Sequence, residues 1–204
     1  MQPRSNSSRE RILENAEAII LQKGFFATSI EDIMEKSAIT KGGFFYHFDS
    51  KATLARALIQ RYLQQDDEVF NSLSDKANDL SEDPLHQLLI FLKLMAEMMG
   101  QMEDTHPGCL VASFTYENQQ FQDDIKDLMR QGIISWREMM VKRFDAINEK
   151  YDVEVPVDKE TLADMFTAIV EGGILLARNF KNNQLLVDQI MAYRTFIRSI
   201  YGSL

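Results

Sequence analysis

The most informative segment of the chain is residues 28–51, TSIEDIMEKSAITKGGFFYHFDSK. It predicts two short helices joined by a tight turn. Thr28 and Glu31 have the spacing of a capping box, which places the start of the first helix at Ser29. Thr40 can cap the second helix. This arrangement is a helix-turn-helix, with a third helix beginning at the end of the segment.

The second short helix begins with Lys41-Gly42-Gly43. A helix-turn-helix places this end of its second helix in the major groove of DNA. Two glycines destabilise a helix by about 1 kcal/mol each, which makes sense where the backbone must lie close to another molecule. The alternative is an ordinary helical hairpin with loop glycines and a solvated Lys41, and the pattern alone leaves both interpretations open.

A wider set of residues carries a family resemblance: helix Arg9–Lys23, GFFATSIEDI at 24–33, Thr40-Lys41-Gly42 and FFYHFDSK at 44–51. From residue 9 to about residue 60 the chain resembles the N-terminal domain of the tetracycline-repressor (TetR) family. The resemblance implies a sequence-specific transcriptional regulator that binds double-stranded operator DNA as a homodimer, most often as a repressor. The implied DNA-contacting residues are Thr28, Ser29, Thr40, Lys41, Gly42, Gly43, Phe44, Tyr46, His47 and Lys51.

Two positions depart from the family pattern. Ala38 stands in the turn where the family usually has glycine, so the turn must avoid a left-handed residue or tolerate mild strain. Phe45 replaces a frequent tyrosine, which removes one hydroxyl that could reach a phosphate. Together with Phe44 and Phe48, Phe45 is expected to pack inward.

Charge is distributed unevenly along the chain. Residues 1–61 hold 9 Lys/Arg against 7 Asp/Glu, a net of +2, which leaves −11 for residues 62–204 out of a total of −9. An acidic bulk repels a polyanion, so only the N-terminal part can approach DNA. The split disfavours an architectural or non-specific DNA-binding protein.

Composition indicates an ordinary globular protein of 204 residues, with 45% hydrophobic and 26% charged residues. No stretch approaches the roughly 18 apolar residues of a membrane span, and the polar N-terminus lacks the apolar region of a signal peptide. We expect a cytoplasmic protein without membrane partners. The single cysteine excludes an intramolecular disulfide.

Helical periodicity dominates the rest of the chain, and no strand alternation is visible, so the predicted fold is all-α. We expect a DNA-binding domain at residues 1–55 and a ligand-binding and dimerisation domain at residues 56–204. Residues 74–83 are polar and predicted to form a loop. The predicted helices after the first three are 51–73, 84–103, 109–116, 119–150, 159–180 and 184–201.

The final two helices are predicted to form the dimer interface. Gly172 and Gly173 in mid-helix favour the close approach of another backbone, and the resemblance implies a four-helix bundle between subunits. Packing wholly inside one subunit is the alternative. The expected interface residues are Phe166, Gly173, Leu176, Leu186, Ile190, Tyr193 and Ile197.

Methionine and aromatic residues are concentrated in the middle of the chain. The resemblance implies a cavity there for a small-molecule effector, largely apolar or electrophilic, although the same side chains could simply be core. The candidate ligand-binding residues are Phe91, Met95, Met99, Cys109, Phe114, Trp136, Met140 and Phe166.

Cys109 is also a candidate sensor of electrophiles or oxidants. It follows Pro107-Gly108 and opens a short predicted helix, a position that makes a thiol more reactive. A small buried hydrophobic residue is the alternative. No metal or cofactor site is predicted, because a zinc site needs three or four ligands.

One rival function remains, an all-α ligand-binding protein or enzyme whose N-terminal helices no longer read DNA. The chain carries no nucleophile–base constellation and no phosphate loop. The prediction is therefore a regulator rather than an enzyme.

Overall fold

A computed structural model describes residues 7–153 and 157–202. Within these ranges the chain is helical and contains no strand, which confirms the predicted all-α fold. The elements in chain order are α1 (Ser8–Lys23), α2 (Ile30–Ser37), α3 (Lys41–His47), α4 (Lys51–Leu80), α5 (Pro84–Gly100), α6 (Leu110–Tyr116), a 3₁₀ turn (Asn118–Gln120), α7 (Asp123–Asn148), α8 (Lys159–Phe180) and α9 (Gln184–Ile200).

The predicted loop at residues 74–83 is wrong over most of its length, because α4 continues to Leu80. Leu73 and Ala77 are buried and four residues apart, so this part of α4 keeps one apolar face. The Ser74 hydroxyl donates to the carbonyl of Phe70 one turn earlier. Most of the other side chains in this part of α4 are polar because they face solvent, although the helix continues.

Helix ends elsewhere follow local capping, with small shifts. Asp83 caps α5 with Pro84 in the first turn, and Asp158 caps α8, both as predicted. α5 ends at Gly100, three residues earlier than predicted. α7 begins at Asp123, later than the predicted start at residue 119, because the 3₁₀ turn occupies Asn118–Gln120.

The chain divides into two compact packing units. The first comprises residues up to Gln65 together with Cys109–Gln131, and the second comprises Asp66–Gly108 with the residues from Gly132 onward. The predicted boundary at residues 55/56 is a division by function and stays a prediction. Packing adds α6, the 3₁₀ turn and the start of α7 to the N-terminal helices.

The first unit is built around an apolar face of α1, with α2 and α6 packed against that helix. Ile12, Leu13 and Ile20 are almost fully buried on it. Phe25, in the loop after α1, lies 5.0 Å from Phe114 between ring centroids, and a second 5.0 Å contact joins it to Phe121. This aromatic cluster joins the N-terminal helices to the segment from α6 to α7.

The second unit has its core between α5, α8 and α9. Phe91, Phe166 and Tyr193 lie at its centre. The ring centroids of Phe91 and Phe166 are 6.3 Å apart, and those of Phe166 and Tyr193 are 6.1 Å apart. The Tyr193 hydroxyl is buried and donates to the carbonyl of Leu162 at 2.7 Å, which satisfies its polar end.

Candidate functional site

The helix-turn-helix is fixed by a side-chain cap at the start of each of its helices. The Ser29 hydroxyl accepts from the amide of Asp32 at 3.0 Å, and Asp32 Oδ2 accepts from the amide of Ser29 at 2.7 Å. This capping box replaces the predicted pair Thr28 and Glu31, so α2 starts one residue later. Thr40 caps α3 as predicted, accepting from the amide of Gly43 at 3.2 Å.

The first turn of α3 is exposed. Thr40, Lys41 and Gly42 are all open to solvent. A Cβ on Gly42 would meet nothing within 4 Å among the described residues outside its own turn, whereas one on Gly43 would meet Ile39 at 2.7 Å. Gly43 is therefore favoured by packing inside the domain. Gly42 leaves open space at the exposed start of α3, where another molecule could approach the backbone closely.

Two aromatic side chains stand at the other end of α3. Tyr46 is 84% exposed, so its hydroxyl is available to a partner. The His47 ring lies half-buried with Nε2 2.9 Å from the hydroxyl of Ser8, which fixes its orientation. Phe45 is 39% exposed, so the prediction that it packs inward is wrong; Phe44 and Phe48 occupy the core instead.

Three predicted DNA-contacting side chains are engaged inside the protein. Thr28 is fully buried and its hydroxyl donates to the carbonyl of Gly24 at 2.7 Å. Phe44 is fully buried. Lys51 Nζ donates to the carbonyl of Phe25 at 2.5 Å. For these residues the structure assigns a role in stability, since their predicted surface contacts would require them to leave these partners.

Lys51 is held by aromatic rings as well as by a carbonyl. Its ammonium lies 4.4 Å from the centroid of the Phe25 ring and 5.6 Å from that of Phe26. Burial lowers the pKa of Lys51, against the opposing charges of Glu117 and Asp32. The side chain predicted to hold phosphate thus locks the loop between α1 and α2.

Glu117 holds the same loop and was not anticipated from the sequence. Its two carboxylate oxygens accept hydrogen bonds from the backbone amides of Phe25 at 3.1 Å and Phe26 at 2.9 Å. Gly24 adopts φ +88°, and a Cβ there would stand 2.2 Å from Glu117 Oε1. Nothing in the local sequence around Glu117 signals this contact, because its partners precede it by 92 and 91 residues.

Ala38 ends α2 in the left-handed region, with φ 50° and ψ 52°. Of the two possibilities raised by the missing glycine, the turn tolerates a strained residue. A left-handed conformation costs an alanine roughly 1–2 kcal/mol. The amide of Ile39 bonds to the carbonyl of Met34 across this turn at 3.1 Å, which keeps the helix-turn-helix closed.

The candidate ligand-binding residues fall into both units. Phe91, Met95, Met140 and Phe166 lie in the core of the second unit, and Met99 packs against that core. Trp136 is buried on α7 in the same unit. Cys109 and Phe114 belong to the first unit. Six of the eight residues thus belong to the second unit and two to the first.

Cys109 occupies the N-cap of α6, as predicted. Its sulfur accepts from the amide of Ala112 at 3.4 Å, and the residue is 7% exposed. In the bend before Cys109, the amide of Gly108 donates to His106 Nδ1 at 3.1 Å. This hydrogen bond requires an unprotonated Nδ1. Burial, with the charge of Arg178, lowers the pKa of His106. Asn183 accepts from the His106 amide at 3.0 Å and so anchors this bend.

The predicted dimer residues are mostly interior to a single chain. Gly173 approaches α9 of its own chain, since a Cβ there would meet Leu186 Cδ1 at 2.7 Å. For this glycine the alternative of packing inside one subunit holds. Leu176 is partly exposed. The others are buried in the core of the second unit, namely Phe166, Leu186, Ile190, Tyr193 and Ile197.

Apolar surface remains on the outer side of α8. Leu175 is 62% exposed and Phe180 is 69% exposed. Gly172 has no atom within 4 Å of where its Cβ would stand, unlike the adjacent Gly173. Single exposed apolar residues are ordinary, but Leu175 lies one turn from Gly172 on the same face of α8, and we define this face as the outer side of the helix.

A polar cavity of about 640 Å³ lies in the second unit, between α4, the start of α5 and α7. It is lined by Ser74 of α4 and by Met139 and Arg143 of α7. None of the predicted ligand-binding residues lines it. Sequence patterns of apolar residues could not have revealed a polar cavity.

The described residues also limit what else the protein contains. Throughout 7–153 and 157–202, no three His, Cys, Asp or Glu side chains come together in a group able to hold a metal ion. No helix in the described part of the chain has both the length and the apolar character needed to cross a membrane.

A helix-turn-helix with an exposed start to its second helix is an arrangement that DNA-binding regulatory proteins use to enter the major groove. Residues 12–58 match the model of the bacterial regulatory proteins of the tetR family, and residues 84–193 match that of the tetracyclin repressor-like C-terminal domain. The chain belongs to the TetR family.

Individual relatives agree with this assignment. The transcriptional regulator AcuR of Cereibacter sphaeroides is 28% identical over 160 residues, 78% of this chain and 71% of that protein. The transcriptional repressor DhaR of a Mycobacterium species is 24% identical over 188 residues, 90% of this chain and 88% of that protein. A TetR-family regulator from Agrobacterium tumefaciens superposes with a TM-score of 0.78 at 21% identity, covering 96% and 98% of the chains.

Proteins of this family are transcriptional regulators, typically repressors, that bind operator DNA and act as dimers. The predicted family, the DNA-binding function and the expectation of a regulator rather than an enzyme are therefore confirmed.

Proposed function

We propose that this protein is a cytoplasmic, homodimeric repressor that leaves its operator when a small effector binds. The proposed DNA binding rests mainly on the exposed first turn of α3, where a Cβ on Gly42 would meet no other part of the described chain. Thr40, Lys41, Gly42, Tyr46 and the ordered His47 would meet bases and phosphates there. Ser29 is exposed beside the start of α2 and would touch the DNA backbone.

The proposed dimer uses the outer side of α8 and not the residues first expected. On this side Leu175 supplies exposed apolar surface, and Gly172 leaves space for a second backbone. Two subunits are needed because successive major grooves are about 34–36 Å apart, and each α3 can enter only one of them.

The proposed effector response rests on a change in population between two arrangements of the protein. An effector can shift this equilibrium only by binding one arrangement more tightly than the other. Supporting features are the Met-rich and Phe-rich core of the second unit and the placement of Cys109 at the start of α6.

The decisive experiment is selection of genomic fragments by purified full-length protein, followed by quantitative binding to the recovered sequence. A single pseudo-palindromic site bound far more tightly than unrelated DNA supports the proposal. Equal affinity for all DNA, or none, would refute sequence-specific regulation. Selection repeated with the Lys41→Gln variant separates specific recovery from background.

Effector response is tested next, by release of the recovered operator. Small apolar compounds and electrophiles are added to the protein–DNA complex, and the Cys109→Ser variant is measured beside wild type. If an electrophile releases wild-type protein from the operator but does not release the Cys109→Ser variant, the response is assigned to Cys109. An unchanged response in the variant excludes Cys109 as the sensor.

A further inference from the structure

The polar cavity of the second unit contains a partly buried cation without an acidic partner. Arg143 makes no ion pair among the described residues, whereas Arg137 on the same helix binds both oxygens of Asp164 at 2.6 and 2.7 Å. Arg143 donates hydrogen bonds to the hydroxyl of Ser74 and, at 3.5 Å, to the sulfur of Met139. Both are neutral, and a thioether is a weak acceptor.

The position of the guanidinium is fixed from two sides. Cζ of Arg143 lies 4.4 Å from the centroid of the Phe91 ring, so the cation stacks on the core of the unit. Ser74 accepts from Arg143 while donating its own proton to the Phe70 carbonyl at 2.5 Å. Ser74 is thus a positioning residue, with no proton left to offer a ligand.

This arrangement leaves unused binding capacity in the cavity. A guanidinium has five N–H donors, and two of those on Arg143 have partners among the described residues. Burial lowers the pKa of Arg143, in keeping with the absence of an ion pair to it among the described residues. Burying a charge without a counter-charge is unfavourable, and a carboxylate accepting two parallel hydrogen bonds relieves this most effectively.

The other charged residues of the lining limit the charge of the ligand. Asp67, Asp75 and Glu138 face the same cavity and outnumber Lys142 and Arg143. A dianion such as a phosphate monoester would be repelled by this balance, because like charges oppose its entry. The same balance opposes a monoanion about half as strongly, so a ligand with one negative charge, paired directly with the guanidinium, is favoured over a dianion. The cavity volume of about 640 Å³ is within the range of small-molecule sites.

We propose that this cavity binds a small organic monocarboxylate, with its carboxylate paired to the guanidinium of Arg143. The proposed carboxylate site does not depend on the proposed function of the protein. That the bound carboxylate acts as the effector rests on the proposed function, and names the chemical class that would release the operator.

The test is isothermal titration calorimetry on the full-length, DNA-free protein. The probes are a series of monocarboxylates from acetate to benzoate, with the uncharged amide of each acid as its partner. We expect saturable binding of at least one carboxylate, with its amide at least about tenfold weaker. Absence of saturable binding across the whole series overturns the proposal.

Variants assign the binding to Arg143. Arg143→Met should weaken the carboxylate by at least about tenfold, while Arg137→Met on the same helix leaves its affinity unchanged. Arg143→Lys keeps the charge but loses the planar fork, so it should bind more weakly than wild type. If Arg143→Met fails to fold, the carboxylate affinities of Arg143→Lys and Ser74→Ala test the proposal instead. Wild-type carboxylate affinity in both variants overturns it.

Operator release separates the two proposals. A carboxylate that binds through Arg143 and also releases the recovered operator supports both. Binding without release supports the carboxylate site and refutes its role as the effector site. Failure to recover any operator refutes the proposed function and leaves the calorimetric result standing on its own.

Discussion

The carboxylate of Glu117 accepts a hydrogen bond of 2.9 Å from the backbone amide of Phe26, 91 residues earlier in the chain. A second bond, from the amide of Phe25, uses the other carboxylate oxygen. Hydrogen bonds to a charged group are about twice as strong as neutral ones. This pair therefore fixes the loop that joins α1 to the helix-turn-helix.

Replacing Glu117 by glutamine should destabilise the protein by about 2 kcal/mol. A glutamine has one acceptor oxygen, so one of the two amides loses its partner and faces an NH₂ group instead. Urea unfolding measures the difference, with Glu103→Gln at an exposed position as the control. Equal unfolding midpoints for both variants would mean that the bonds to Glu117 contribute nothing.

Replacing Ala38 by glycine should stabilise the protein by about 0.5–1 kcal/mol. Glycine adopts the left-handed conformation of this residue without the steric penalty, and only part of the gain is lost to its greater freedom when unfolded. Ala18→Gly, in the interior of α1, should instead destabilise by about 1 kcal/mol. Thermal unfolding distinguishes the opposite signs; a loss of stability at both positions would contradict the argument.

Lys41 and Lys51 should differ in their effect on operator binding. Lys41→Gln removes an exposed charge at the start of α3, so the slope of log affinity against log salt should fall by about 1. Lys51→Gln removes a charge already engaged with the Phe25 carbonyl, and should lower stability while leaving the salt slope unchanged. Fluorescence anisotropy across a salt series gives both slopes. If the salt slope fell in Lys51→Gln and not in Lys41→Gln, Lys51 would be the residue that contacts DNA phosphates.

The outer side of α8 should control dimerisation. Leu175→Glu places a charge on an exposed apolar surface, so the dimer should dissociate while the fold persists. Leu80→Glu makes the same change at a comparably exposed leucine of α4 and should leave the dimer intact. Sedimentation equilibrium reports both; a Leu175→Glu dimer of wild-type strength would place the interface elsewhere.

His106 should make stability depend on pH. Burial holds its folded-state pKa below the ordinary value of 6.5, so the unfolded chain binds a proton more readily. The free energy of unfolding should then be highest above about pH 6.5 and fall as the pH drops below it. In His106→Gln this part of the slope should vanish between about pH 7.5 and about pH 5.5. An identical slope in wild type and variant would show that His106 does not titrate differently on unfolding.

Local chemistry made much of the fold predictable. Thr40, Asp83 and Asp158 cap their helices through hydrogen bonds to amides three residues later, and such caps are visible as short-range patterns. The last two turns of α4 were missed because only Leu73 and Ala77 mark their buried face. An apolar pattern so sparse resembles that of a polar loop.

The candidate site was less predictable, because its side chains are used by distant partners. The family resemblance implied DNA contacts for Thr28 and Lys51, yet both bind backbone carbonyls of the loop after α1. The apolar periodicity of α9 correctly indicated burial. Periodicity carries no information about which chain covers the helix, so the interior residues were mistaken for a subunit interface.

The membership of residues 109–131 in the first packing unit bears on the design of chimeric regulators. A recombinant that grafts residues 1–55 onto another effector region would leave Phe25 without Phe114 and Phe121, and would leave the amides of Phe25 and Phe26 without Glu117. The transplanted recognition helices would then rest on an incomplete core. Transfer of the complete first unit needs three crossover points: one within α4, one between Gly108 and Cys109, and one within α7.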